Sequence, residues 1–152
     1  MNLGEALSLL RKEKSGLARL INLRKDNVYV EEGKKPEFNP KKISEEINTK
    51  IDEIRKLKIR IAKTNLDTEI SGERITLSEA IIKIGDIRSK LASLNNLFER
   101  KRSSWYVEKE TKNFISQLDE TEIEEEIEKL EIEKAKLDNK VQMTNWNTKL
   151  LD

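Results

Sequence analysis

Sliding the chain along itself by 74 positions lays Leu3–Leu23 on Leu77–Leu97, and nine of the twenty-one aligned positions are identical. Unrelated helical segments agree at roughly two or three such positions, so a duplicated unit is the better account. The identities are Leu3/Leu77, Glu5/Glu79, Ala6/Ala80, Ser15/Ser89, Leu17/Leu91, Ala18/Ala92, Leu20/Leu94, Asn22/Asn96 and Leu23/Leu97. A slide of 77 places Tyr29-Val30-Glu31 on Tyr106-Val107-Glu108. A slide of 80 places Thr64-Asn65 and Thr68 on Thr144-Asn145 and Thr148, with Leu57/Leu137 and Ile61/Val141 before them. The offset grows by three at each of two loops and never shrinks, as small insertions in a duplicated unit would produce.

Each copy then comprises a first helix, a long connector and a second helix. Apolar residues recur at helical spacing: Leu3, Leu7, Leu10, Leu17 and Ile21, then Ile43, Ile47, Ile54, Leu57 and Ile61 in the first copy. The second copy carries Leu77, Ile81, Ile84, Leu91, Leu94 and Phe98, then Ile123, Ile127, Leu130, Leu137 and Val141. These stripes are of the coiled-coil a/d type, broken by Lys14, Lys50, Arg88 and Lys134, whose stems are expected to pack while their charged ends reach water. The spacing predicts helices over about 3–25 and 40–65 in repeat 1 (1–70), and about 77–103 and 119–145 in repeat 2 (75–152), all in one domain spanning 1–152. Start signals agree. Asn39-Pro40 is an N-cap followed by proline at the first helical position, and Asn2/Glu5, Thr76/Glu79 and Thr121/Glu124 have capping-box spacing.

The fold class expected is therefore all-α: an internally duplicated antiparallel four-helix bundle with long coiled-coil-like helices and short β-like connector strips. Helices of this length run roughly 33 to 40 Å, so the bundle should be slender, with a narrow core. The Gly-containing turn in Thr68-Glu69-Ile70-Ser71-Gly72-Glu73-Arg74-Ile75 predicts a short β-type tie between the copies. By the repeat, Thr148–Leu151 should make the equivalent contact with Met1 and Asn2.

Composition removes much chemistry. The 152 residues contain no His and no Cys, which excludes His or Cys metal sites, thiol nucleophiles, disulfides, Ser-His-Asp triads and Glu-x-x-His di-iron bundles. Thirty Lys and Arg face 29 Asp and Glu, and a net charge of +1 offers nucleic acid or anionic lipid no global attraction. Before residue 76 there are 17 basic and 13 acidic residues, and from 76 onward 13 and 16. The copies thus differ in sign, which favours their mutual attraction or head-to-tail contact between chains. The opening MNLGEALSLLRKEK lacks the basic-then-apolar pattern of a secretory signal, and no apolar run approaches the ~20 residues that span a bilayer. With no cysteine, the expected location is the cytoplasm.

The opening Leu-x-Glu-Ala helix, Thr64-Asn65, the turn Ser71-Gly72-Glu73-Arg74-Ile75-Thr76-Leu77-Ser78-Glu79-Ala80 and the closing Thr144-Asn145-Trp146, in that order, resemble a family of small bacterial helical proteins sometimes labelled septicolysin. The resemblance covers nearly the whole chain and implies a bacterial cytoplasmic protein of unknown role. Its label implies a cytolysin, though the chain has no Trp-rich insertion loop.

Two groups of residues invite a functional reading. Thr64, Asn65 and Thr68 with Thr144, Asn145 and Thr148 pair hydroxyl and amide groups that could hold a small ligand, although helix termination accounts for the same pattern. The connectors carry Val28-Tyr29-Val30-Glu31 and Trp105-Tyr106-Val107-Glu108, with Arg100, Lys101 and Arg102 beside the second. Basic side chains beside aromatic rings suit single-stranded nucleic acid, and the plainer alternative is an aromatic cover or an oligomer contact. The stretch Asp119–Glu133 holds nine acidic residues but lacks the Asp/Asn-and-Gly pattern of a calcium loop, so a solvated face is expected. No cofactor or metal is implied and no acid, base or nucleophile pairing is legible. The function expected is a non-enzymatic, self-associating structural or interaction protein, a homo-oligomer with a further protein partner open. Tyr29, Arg100, Lys101, Arg102, Trp105 and Tyr106 are the candidate interaction residues; nucleic-acid binding through the basic aromatic connector around 100–106 is the first alternative, and membrane action the second.

Overall fold

The protein is described by a computed structural model, covering residues 1–98 and 115–152. The described residues form four helices: α1 (Leu3–Asp26), α2 (Pro40–Asp67), α3 (Leu77–Asn95) and α4 (Glu120–Asn147). Among the described residues β pairing is limited to two isolated bridges, Asn2 with Lys149 and Glu69 with Thr76.

Local chemistry sets where the helices start. Asn2 and Thr76 each accept the N–H of the residue three ahead, Glu5 or Glu79, whose carboxylate accepts the cap N–H in return. Asn39 caps α2 ahead of Pro40 at the first helical position, where the missing N–H costs nothing. The expected Thr121/Glu124 box is replaced by Asp119, whose Oδ1 accepts from Thr121 and Glu122 N–H, because an acidic cap two residues earlier also favours the positive helix end. Helix α3 ends at Asn95 rather than near 103, closing in a turn where Leu97 N–H reaches Leu94 O.

The stripes that are covered run in alternating steps of three and four. In α3 they are Leu77, Ala80, Ile84, Ile87, Leu91 and Leu94; in α1, Leu3, Ala6, Leu10, Glu13, Leu17 and Leu20. This corrects the expected stripe. Ile21 and Ile81 are 42% and 46% exposed, and Lys14 and Arg88 lie in solvent while their neighbours Glu13 and Ile87 take the covered positions. Apolar residues flank both edges of these helices, so periodicity alone leaves a one-residue ambiguity that packing settles. Lys50 and Lys134 do stand within the covered stripes, and each ammonium finds a carboxylate: Glu13 at 2.6 Å and Glu53 at 3.1 Å for Lys50, Asp138 at 2.7 Å for Lys134.

Helix α1 packs chiefly on α2 and α3 chiefly on α4, while smaller contacts join α1 to α4 and α2 to α3. The continuous core lies where all four meet, at the starts of α1 and α3 and the ends of α2 and α4. It comprises Leu3, Ala6, Leu57, Ile61, Ile70, Leu77, Ala80, Ile84, Leu137, Val141 and Leu150. Leu3 and Leu77 are wholly buried, as are Ala6 and Ala80. Away from this end, Ile43, Ile47 and Ile54 of α2 and Ile87 of α3 bury outside that cluster. Truncating Leu3 or Leu77 to Ala should each cost about 2–5 kcal/mol.

The two bridges have matching hydrogen bonds. Leu77 N–H donates to Thr68 O at 2.8 Å and Leu3 N–H to Thr148 O at 2.9 Å; Ile70 N–H donates to Ile75 O at 3.0 Å and Leu150 N–H to Met1 O at 3.1 Å. Shifts of 74 and 80 carry one set onto the other. One junction is continuous through a turn containing Gly72, at φ 77, and the other brings the two chain ends together.

The β-like strip expected at Val28–Glu31 is not a strand. Val-Tyr-Val favours extended backbone, but strands need a partner, and no other described segment pairs with it. The corresponding strip around 105–108 lies outside the described residues.

Trp146 packs on α1, as a side chain laid against the bundle should. A Cβ placed on buried Gly4 would lie 2.8 Å from the indole. Gly4→Ala should therefore lower stability by about 1–3 kcal/mol in urea unfolding, because a rigid ring must move. Gly16→Ala and Gly85→Ala, where the added methyl meets open space inside a helix, should each raise it by about 0.5–1 kcal/mol.

Candidate functional site

The Thr-Asn repeats end α2 and α4 and lie against the junctions. Buried Thr64 donates its hydroxyl to Arg60 O at 2.8 Å and accepts the N–H of Leu151 at 3.0 Å. Thr144 makes the same back-bond, to Lys140 O at 2.8 Å. The carbonyls of Thr64 and Thr144 accept the N–H of Thr68 and Thr148, whose own carbonyls receive Leu77 and Leu3. Asn65 is half-buried and Asn145 buried. These six residues therefore come together in two structural clusters that end a helix and start a bridge. The Thr64 and Thr144 hydroxyls and the main-chain groups of Thr68 and Thr148 are spent on the backbone, and no buried side-chain polar atom among the described residues lacks a partner.

The sequence reading missed the cations that hold these junctions shut. Arg60 donates Nε–H to Leu151 O and Nη2–H to Asp152 Oδ1, both at 2.9 Å, and Lys63 reaches Asp152 O at 3.3 Å. At the other junction Lys140 binds the Glu73 carboxylate at 2.5 Å. Arg60 and Lys140 correspond under the shift of 80, four residues before Thr64 and Thr144, so the signal was present in the repeat. The Lys140 hydrogen bond holds the Glu73 carboxyl below its ordinary 4.5. Hydrogen bonds from Thr76 likewise lower Glu79, and those to Glu13 and Glu53 raise Lys50 above 10.5.

The interaction candidates divide. Arg100, Lys101, Arg102, Trp105 and Tyr106 lie outside the described residues. Tyr29 is 91% exposed, with Val28, Val30 and Phe38 each about half exposed. The connector that carries them is anchored by Asn27, also missed in the sequence. Its amide donates to Leu23 O at 2.9 Å and its carbonyl accepts Phe38 N–H at 3.1 Å, closing both ends of the loop on one buried side chain. Gly33, at φ 81, turns the chain between them.

Among the described residues, open grooves of about 370–480 Å³ run along the helices. Two of them flank Lys50, with Glu13 and Leu20 among their walls, and a third runs between Lys83, Glu133, Lys136 and Lys140. Among the described residues no three carboxylates cluster to hold a metal ion. The acidic face of α4 contributes, among the described residues, one cross-helix ion pair, Glu133 to Lys83 at 3.0 Å.

The model of a family of unknown function, DUF6847, matches residues 11–150. The chain belongs to that family. The fold of this DUF6847 member is also similar to the crystal structure of a functionally unknown conserved protein from Corynebacterium diphtheriae, at 29% identity and a TM-score of 0.89, covering 99% of each chain. No curated protein matches. The septicolysin label finds no support in either likeness, and no helix of the described residues is long and apolar enough to cross a membrane.

Replacing Thr64 with Val removes the acceptor for Leu151 N–H while keeping the volume, and should cost about 1–3 kcal/mol. Thr144→Val removes only a back-bond and should cost less, which chemical denaturation of the two variants would show. The pH dependence has a definite sign. Lowered Glu73 and Glu79 stabilise the fold above pH 4.5 and lose that contribution as pH falls through their depressed values. Raised Lys50 stabilises it below pH 10.5 and loses that contribution as pH rises through its higher value. Melting temperature against pH should fall at both ends, with the acid limb shallower in Glu79→Gln and the alkaline limb shallower in Lys50→Met.

Proposed function

We propose that this DUF6847 member is a non-enzymatic, cytoplasmic interaction protein that associates with a second copy of itself. The observation that carries this reading is the anchored connector: Tyr29 projects at 91% exposure between half-exposed Val28 and Val30 on a loop tied down by Asn27. An aromatic side chain held out by a fixed backbone loses little freedom on contact, and tyrosine is among the residues that anchor interfaces. Further exposed apolar side chains, Leu66, Ile82, Met143 and Trp146, line the helices near the shared core. The Thr64 and Thr144 hydroxyls singled out in the sequence are engaged in helix ends and closure, which favours surfaces over these clusters as the carriers of the role.

We read the architecture as two copies of one antiparallel helical hairpin, with coiled-coil-like packing within each. The matching bridges, matching capping boxes and the equivalence of Arg60 with Lys140 support that reading.

Sedimentation and native mass spectrometry over a concentration series test the function. Multiples of 17.7 kDa should appear, and Tyr29→Ser should weaken association about ten-fold or more, the equivalent of ~1.4 kcal/mol. A mass of 17.7 kDa at every concentration would exclude self-association.

A further inference from the structure

The shared core is built from corresponding residues on its two sides. Leu3 answers Leu77, Ala6 answers Ala80, and Leu57, Ile61 and Ile70 answer Leu137, Val141 and Leu150. Each half of the chain therefore presents to the other nearly the surface that the other presents to it, as in a two-fold interface between identical subunits. Between the halves the covalent link is the turn Ser71–Arg74; at the opposite junction the same two hydrogen bonds form without any link.

We propose that this chain exchanges its second helix pair with a second copy of itself, the turn Ser71–Arg74 opening as the hinge. In the exchanged dimer α1 and α2 of one chain receive α3 and α4 of the other. Every core contact between the two helix pairs and both bridges re-form between chains, the contacts within each pair are kept, and only the turn changes. The closed monomer is favoured by the high effective concentration that a short link gives, of mM order. The dimer therefore gains ground as chain concentration rises toward that range, or when the turn is too short to close. Exchange must first expose the wholly buried Leu3 and Leu77, so each form, once made, persists. This surface is separate from the Tyr29 loop and the inference does not depend on it.

The chain has no cysteine, which makes the test clean. Asn2 and Lys149 are bridge partners flanked by the bonds Leu3 N–H to Thr148 O and Leu150 N–H to Met1 O, a non-hydrogen-bonded pair with the close Cα approach that a disulfide needs. Asn2→Cys with Lys149→Cys, in the full chain carrying Tyr29→Ser, is refolded at low and at high concentration and then oxidised. A monomer closes the disulfide within the chain. An exchanged dimer closes it between chains and runs at twice the mass without reductant, in a fraction that grows with refolding concentration. A second variant lacking Ser71 and Gly72 should be dimeric at all concentrations. Intra-chain disulfide alone at every concentration, with the shortened-turn variant monomeric, overturns the exchange. If that result accompanies dimers of the wild-type chain in native mass spectrometry, association through the Tyr29 loop stands and exchange alone fails.

Discussion

The mutual burial of two matching apolar ends holds this molecule together. Leu3 and Leu77, each the first residue of its helix, are removed completely from water, and the alanines one turn on leave room for that approach. Placing first residues in a core exposes a general difficulty: the opening N–H groups of a helix have no partner within it. Here Asn2 and Thr76 supply side-chain acceptors, and the carbonyls of Thr148 and Thr68 take the N–H of Leu3 and Leu77 themselves. The bridges are thus a condition of the core, because without them its deepest residues would carry unpaired amides.

Seen this way, the Thr-Asn repeats and the cations before them serve one end. Thr64 turns its hydroxyl both to its own helix and to the backbone at Leu151, and Arg60 takes the next carbonyl and carboxylate. Lys140 holds the turn at Glu73 from the matching place on α4. The two grips differ in detail, since one acts on a chain end and the other on a continuous turn. That difference explains why Thr64 carries an added bond that Thr144 does not.

Much of this was legible in the residues because its causes are local. Capping residues announce themselves within four positions, and the tie at Glu69 and Thr76, with its counterpart at Asn2 and Lys149, follows from a Gly turn and a repeat. What failed depended on three-dimensional neighbours. Ile81 and Ile21 satisfy helical spacing as well as Ala80 and Leu20 do, and only the facing helix decides which are covered. Val28-Tyr29-Val30 has strand-forming side chains but no strand to pair with. Asn27 gave no signal at all, since an amide that binds Leu23 and Phe38 at once is defined by the path of the loop.

The pair Glu13 and Lys50 has a wider meaning than the link it makes. The positions that correspond to it in the second half, by the same shifts of 74 and 80, hold Ile87 and Leu130. A half-covered charge tolerates the seam only opposite its counterion, whereas an apolar side chain there needs an apolar neighbour. Were α1 to pair along its length with α4 in place of α2, the Glu13 carboxylate would face Leu130 in place of its ammonium partner, and Lys50 would be left beside Ile87. Two helix pairs with matching ends thereby carry different seams: the Glu13 and Lys50 position favours α2 as the partner of α1, while the shared core is lined alike on both sides.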